Sequence, residues 1–402
     1  MLLLVRIILL SVVLVFGRGF AQATEQQPVI LGLDADMSAV AVEGGKAIKQ
    51  GALLAIAEIN ERGGVLGRPL ELKILDHRGN PARGIRNIKA LAEQPNLLAI
   101  LGGVHTPVAL AELPTIHERE VIYLGPWAAG TAIVDNGYAP NYVYRLSVRD
   151  EEAAKVMLKH ASQRGFKTVG LVLERTGWGR SNLASLQQYS QDYGITISHV
   201  SWVNWRQKTF HQEIQTQIRN TPDALITVVN APEGVVIAEA VLQEQLNIPI
   251  ISHWGLAGGN FASVLGSEKL QQLDLTILQT FSFHQKRQPE VAARVLQAYR
   301  DKFDSQANPD SIRAVVGLAH AYDLVHLIAL AANQADSLSA PAVARALENI
   351  SDYSGLIKRY QQPFTSKRHD ALYAEDYFMA VYNQQGGLTP VAPTTPAAGK
   401  GQ

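Results

Sequence analysis

From residue 28 the chain alternates short apolar runs with amphipathic segments, and near residue 148 the alternation starts again. PVILGLDAD reads as a strand. In GGKAIKQGALLAIAEINERGG, Ile48, Ala52, Ala55, Ile56 and Ile59 recur near the helical period, and Gly63-Gly64 ends the run. LELKILDH, LLAILGG and VIYLGP read as strands between the helices PARGIRNIKALAEQ and PVALAELPTIHER, with Pro107 near the start of the second. After YVYRLSV come EEAAKVMLKHASQRG as a helix, TVGLVLE as a strand and SNLASLQQYSQDYG as a helix. ISHVSWV, ALITVVN, PIISHWG and LTILQTFSF are strands, followed by three helical stretches between residues 289 and 350. Such alternation predicts an α/β fold of parallel sheets with helices on both faces. There are too many strands for one compact sheet, so the restart predicts two doubly wound lobes. The Pro/Gly/Thr-rich tail 386–402 is expected to be disordered.

The chain of 402 residues is long enough for two lobes with sizeable cores. Its formal net charge of zero gives no electrostatic case for nucleic acid or an acidic membrane as partner. There is no cysteine, which excludes disulfides, thiolate metal sites and a cysteine nucleophile. It also excludes a lipid-modified cysteine anchor. Residues 1–23 carry Arg6, an apolar run from Ile7 to Phe16, and the small-x-small pattern Ala21-Gln22-Ala23. The apolar run is short for a membrane span of ~20 residues. A cleaved signal peptide is therefore expected, and with it a freely soluble protein of the periplasm. Cleavage would remove two arginines and no acid, leaving a net charge of about −2.

Motifs for catalysis are missing. TGWGRSN (176–182) follows a strand and precedes a helix, where phosphates often bind. Gly177 and Gly179 match the first two glycines of GxGxxG, but Asn182 stands at the third, and the next strand does not end in an acid. GGK at 44–46 lacks the rest of a P-loop. Neither HExxH nor GxSxG occurs, and the histidines have no ligand spacing. No nucleophile, base and orienting acid assemble, so no enzyme, metal or cofactor is expected.

Ligands of open parallel sheets sit beyond the C-terminal strand ends. Those ends carry Asp34-Ala35-Asp36-Met37-Ser38, Val104-His105-Thr106-Pro107, Trp127-Ala128-Ala129-Gly130-Thr131, Thr176-Gly177-Trp178, Asn230-Ala231-Pro232 and His253-Trp254-Gly255. Small and hydroxyl residues dominate one edge, and aromatic residues stand at both.

With GALLAIAEINERGGVLGRPLELKILDHRGNPARGI, LLAILGGVHTPVALAELPTIHEREVIYLGPWAA, GWGRSN and AHAYDLVHLI, the chain resembles the type I periplasmic binding proteins. The likeness is to the leucine/isoleucine/valine-binding family of ABC transporter solute receptors, over about residues 28–385. INERGGVLGRPLEL is its most specific piece. The resemblance implies two lobes joined by three crossings, with lobe one at 24–147 and 280–357 and lobe two at 148–279 and 358–385. It also implies a ligand cleft between lobes that close by hinge motion, a membrane permease as partner, and a monomer.

By the same resemblance, Ser38, Thr106, Trp127, Ala128, Ala129, Trp178, Asn230 and Trp254 are candidate ligand contacts. Thr106 matches the hydroxyl that holds an amino acid's carboxylate. Trp178 matches an aromatic residue reaching in from lobe two, on a turn whose glycines let it approach the ligand. The family's usual carboxylate for the ligand's ammonium matches Trp254. Either Glu233, Glu43 or Asp36 replaces it, or the ligand is not an α-amino acid. Trp127, Trp178 and Trp254 suit a flat or apolar body, or a cage for a quaternary ammonium. The expected function is therefore a receptor for an amino acid of the branched-chain type. The alternatives are capture of an aromatic or aliphatic carboxylate or amide, and a sensor that serves a regulatory partner.

Overall fold

The computed structural model describes residues 27–391. The expected signal peptide and most of the expected tail lie outside them. Five strands form the first sheet: β1 (Val29–Ala35), β2 (Leu70–Asp76), β3 (Leu97–Leu101), β4 (Tyr123–Gly125) and β5 (Val143–Arg145). Their order is β2-β1-β3-β4-β5, all parallel. The second sheet holds β6 (Thr168–Glu174), β7 (Thr196–Val203), β8 (Ala224–Val228), β9 (Ile250–Ser252) and β10 (Leu275–Gln279). After a small hairpin of β11 (Tyr353–Ser354) and β12 (Arg359–Tyr360), β13 (Phe378–Tyr382) and β14 (Leu388–Pro390) complete it. The order is β14-β13-β10-β9-β8-β6-β7. The fold is thus α/β with two lobes, each built on a largely parallel sheet.

The final hairpin departs from the sequence reading. β14 pairs antiparallel with β13, so residues 388–390 are a strand where a disordered tail was expected. Pairing explains the difference: β13 extends the second sheet antiparallel to β10 and offers its free edge to Leu388 and its neighbours.

The helices are α1 (Val42–Glu61), α2 (Pro81–Ala92), α3 (Thr106–Glu118), α4 (Asp150–Gln163), α5 (Gly177–Tyr189) and α6 (His211–Arg219). They continue with α7 (Ala231–Gln243), α8 (Phe261–Leu265), α9 (Ser267–Gln271), α10 (Pro289–Lys302), α11 (Val315–Ala335) and α12 (Ala340–Glu348). α11 is apolar enough to cross a membrane, yet most of it is buried within the protein. It packs on α1 so closely that a Cβ at Gly51 would stand 2.0 Å from the Leu318 carbonyl oxygen. In this way a helix late in the chain completes the first lobe.

The chain passes between the sheets after β5, after β10 and before β13. The first and third passages are stitched together. Arg145 at the end of β5 donates its backbone N–H to His369 (2.7 Å) and accepts one from Ala371 (2.9 Å). Its guanidinium donates to Asp370 Oδ1 (2.6 Å) and to the Gly130 carbonyl (2.8 Å). Both side chains are buried, and Arg149 adds a second bond to Asp370 at 3.2 Å. Burial opposes ionisation of Asp370, but the two guanidinium groups outweigh it and hold the carboxyl below its usual range. Breaking one partner of a buried pair strands the other charge. Asp370→Asn is therefore expected to cost about 3–5 kcal/mol, read as a lower urea midpoint. An unchanged midpoint would mean that the pair does not hold the two passages together.

Candidate ligand-binding site

The C-terminal ends of strands from both sheets converge on one pocket. From the first sheet come Val104, His105, Thr106 and Pro107 after β3, and Trp127 and Ala129 after β4. From the second come Glu174 and Thr176 at β6, Trp205 after β7, Asn230 after β8 and Trp254 after β9. Trp178, in the first turn of α5, closes the ring. The pocket holds about 300 Å³ of space between its atoms, open solvent included. Little of that space is wide enough for a water molecule with the lobes as they stand. A wider, more open groove lies between residues 257–271, 309–315 and 382–388, but it is lined by none of the tryptophans.

The indoles meet across the lobes. Trp127 and Trp254 have ring centroids 5.2 Å apart. Trp127 lies in a slot of glycines: a Cβ at Gly258 would stand 2.9 Å from its ring, and one at Gly317 2.7 Å. Trp254 is fully buried, and its backbone N–H donates to His253 Nδ1 (2.9 Å). Trp178 donates its Nε1–H to Asp150 (3.1 Å), which also lies 3.3 Å from His253 Nε2. The segment around Trp178 is not a turn, contrary to the sequence reading. Thr176 caps α5 through the Gly179 N–H (3.5 Å), and the helix begins at Gly177. Gly179 is small because a Cβ would stand 1.9 Å from the Glu174 carbonyl oxygen, a packing need rather than an approach to ligand.

Thr106 opens α3, and its hydroxyl accepts the Gly130 N–H at 3.2 Å. Pro107 has no N–H to give. Among the described residues the Thr106 N–H meets no acceptor, which leaves a helix-start donor facing the pocket.

Of the candidate contacts, the pocket brings together Thr106, Trp127, Ala129, Trp178, Asn230 and Trp254. Ala128 is buried but does not line it, and its N–H bonds to the Gly103 carbonyl. Ser38 lies elsewhere: it is exposed, and its hydroxyl donates to Asp76 at 2.5 Å. Among the suggested ammonium partners, Glu43 is half-buried in the first turn of α1, away from the pocket. Asp36 is consumed by its own loop. Its carboxylate accepts the backbone N–H groups of Ser38, Ala39, Val40 and Ala41, and His105 Nε2 lies 3.0 Å away. Glu233 is buried behind the pocket, with Oε1 on the Arg206 N–H at 2.8 Å and Oε2 unpartnered.

The lining carboxylate that sequence reading missed is Glu174. Oε1 accepts the Asn230 backbone N–H (2.8 Å) and Nδ2 (2.6 Å), and Oε2 accepts Trp205 Nε1–H (2.7 Å). Burial, aided by repulsion from Glu233, raises its pKa to about 7 against the hydrogen bonds from Trp205 and Asn230. Trp205 was missed as well, although it stands two residues past the end of β7. Its ring reaches across to His105, with centroids 5.2 Å apart.

A pocket at the facing strand ends of two parallel sheets is the site of a two-lobed solute-binding protein. The chain belongs to the periplasmic binding protein family, whose profile matches residues 28–387. That family comprises substrate receptors of ABC transporters rather than enzymes. The Leu/Ile/Val-binding protein BraC3 of Rhizobium johnstonii is 24% identical over 63% of this chain and 69% of its own. A periplasmic binding protein type 1 from Bordetella pertussis superposes with a TM-score of 0.83 at 20% identity, over 91% of this chain and all of that one. A solute-binding protein of an ABC transporter from R. palustris, solved with 4-hydroxybenzoate, gives 0.75 at 17% identity, over 91% and 96%.

The Asp36 loop makes a testable claim. Burial works against ionisation there, but the bonds from His105, Ala41 and Val40 outweigh it and hold the carboxyl well below its ordinary value. A depressed carboxyl stabilises the fold above the unfolded value near 3.8 and loses that effect as pH falls through the folded value. Asp36→Asn is expected to lower stability by about 1–3 kcal/mol at neutral pH. The gap to wild type should stay constant from pH 6 to 8 and shrink below about pH 4. A gap that persists unchanged in acid would refute this role.

Proposed function

We propose that the chain is an exported receptor that captures a small amino acid between its lobes and hands it to an ABC transporter permease. The observation that carries this reading is the pocket itself. It draws residues from six strand ends of two sheets, so a solute bound there ties the lobes together. One wall offers a hydroxyl and the N-terminal end of α3, suited to a carboxylate. The other walls are indole, suited to a branched or flat apolar body. No arginine or lysine lines the pocket, which disfavours a ligand of net negative charge. Nor does the lining contain a nucleophile paired with a base, in keeping with binding without turnover. The Leu/Ile/Val name of the Rhizobium relative points the same way. The second reading is an aromatic acid, favoured by the four indoles and by the 4-hydroxybenzoate in the R. palustris structure.

A thermal-shift screen separates these readings. A ligand at about 100 times its dissociation constant adds about 2.7 kcal/mol of apparent stability, enough to raise the midpoint by a few degrees. Leucine, isoleucine, valine and phenylalanine are expected to shift it. If 4-hydroxybenzoate and benzoate shift it and the amino acids do not, the second reading replaces the first. If no small solute does, the receptor reading fails.

A further inference from the structure

Resting on the receptor reading, we propose that Glu174 is the anchor for a positively charged nitrogen on the ligand. The site thereby selects zwitterions and organic cations over simple carboxylic acids.

Three observations lead there. First, Glu174 is a lining carboxylate held rigid by three N–H donors from Trp205 and Asn230, at 2.6 to 2.8 Å. A carboxylate has about four acceptor positions, so one is left for a ligand. Second, Glu233 lies behind it with a buried oxygen that no protein group meets. Two buried carboxyl groups this near each other cannot both ionise cheaply; a shared proton or a cation must relieve them. The basic side chain that acts on Glu233, His105, is already held against Asp36 at 3.0 Å. Third, the remaining walls are indole rings, whose faces attract cations once water is excluded. Trp254 stands where the resemblance places the usual acid, after β9. The counter-charge has therefore moved to the end of β6.

An ammonium on Glu174 and a carboxylate at the start of α3 would span the pocket from lobe two to lobe one. The ligand's own dipole would then draw the lobes together. Trp205, fixed by Glu174 and packed on His105, sits at the same seam.

The charged group acting on Glu174 is Glu233 from α7; His105, just before α3, acts on Glu233 and is itself held by Asp36. Binding of a cation requires the ionised form, and the Glu174 pKa is pushed up to about 7. Affinity for an ammonium ligand should therefore fall as pH drops below about 7, by up to tenfold per unit. For a simple carboxylate it should hold or rise.

The experiment is calorimetric titration of the exported full chain between pH 5.5 and 8.5. The probes are leucine, isoleucine, valine and phenylalanine, the acid of each lacking its amino group, 4-hydroxybenzoate and choline. The expected result is binding of amino acids or choline, weakening in acid, with Glu174→Gln reducing affinity roughly 30-fold or more at pH 8. Glu233→Gln should keep that affinity and move the pH midpoint lower, because it removes the repulsion that raises Glu174. If Glu174→Gln fails to fold, the wild-type pH profile and the Glu233→Gln shift carry the test. Equal affinity for the des-amino acids, or a flat profile between pH 6 and 8, overturns the assignment and leaves the receptor reading standing. Binding of none of the probes overturns both.

Discussion

The buried pair of Arg145 and Asp370 ties the passages between the lobes to the wall of the candidate site. One guanidinium joins the first passage between the lobes to the third, and donates to the carbonyl of Gly130 next to the pocket wall. An ion pair buried this deeply adds little net stability over a well-packed apolar pair. Its value is geometric: a planar fork fixes the direction of what it binds. The loop that carries Trp127 and Ala129 is held at its root. Asp323 does similar work for the segment after β11, accepting the N–H groups of Leu356 (2.6 Å) and Ile357 (3.1 Å) and the Tyr360 hydroxyl (2.8 Å).

Closure of the cleft then depends on how the lobes fit. Trp127 slots between glycines contributed by both: Gly317 on α11 and Gly258 after β9. A side chain at Gly258 would push on Trp127 across the seam, and one at Gly317 would crowd it from within lobe one. Further along the seam the Thr131 N–H meets the Ser181 hydroxyl at 3.2 Å, and Arg313 meets Ser263 at 2.8 Å. These are light polar contacts that water can replace at small cost. Between these contacts the seam is held mainly by the packing of Trp127.

Much of the fold was legible because it rests on periodicity. Each long strand and helix of the two lobes left an apolar pattern, and the restart near residue 148 marked the second sheet. β13 and β14 were not read, since short antiparallel strands at a sheet edge leave little pattern and one of them sits in a Pro-rich stretch. Strand ends located Thr106, Trp127, Trp178, Asn230 and Trp254 near one another, because topology alone brings such ends together. The errors were of another kind. Ser38 and Asp36 stand at a strand end too, but their hydrogen bonds turn them toward Asp76 and toward their own loop. Glu174 was hidden as the last letter of a strand, where a pocket carboxylate and a surface one read alike. Its donors come from β7 and β8, 31 and 56 residues away, and no local pattern announces them.

The treatment of buried acids shows what distinguishes the cleft from the rest of the interior. Asp36 keeps its charge because four backbone N–H groups and His105 surround it. Asp34, on β1, meets the opposite fate: burial and the neighbouring Glu112 raise its pKa far above the carboxylate range. Both arrangements use the chain's own groups, although Asp34 Oδ2 and Glu112 Oε1 keep no hydrogen-bond partner among the described residues. Glu174 and Glu233 have neither. Their donors are too few to hold two charges, and Glu174 sits beside a pocket rather than sealed in a core. This pair stands between the lobes rather than in a core, which puts its electrostatic demand where the proposed ligand would lie.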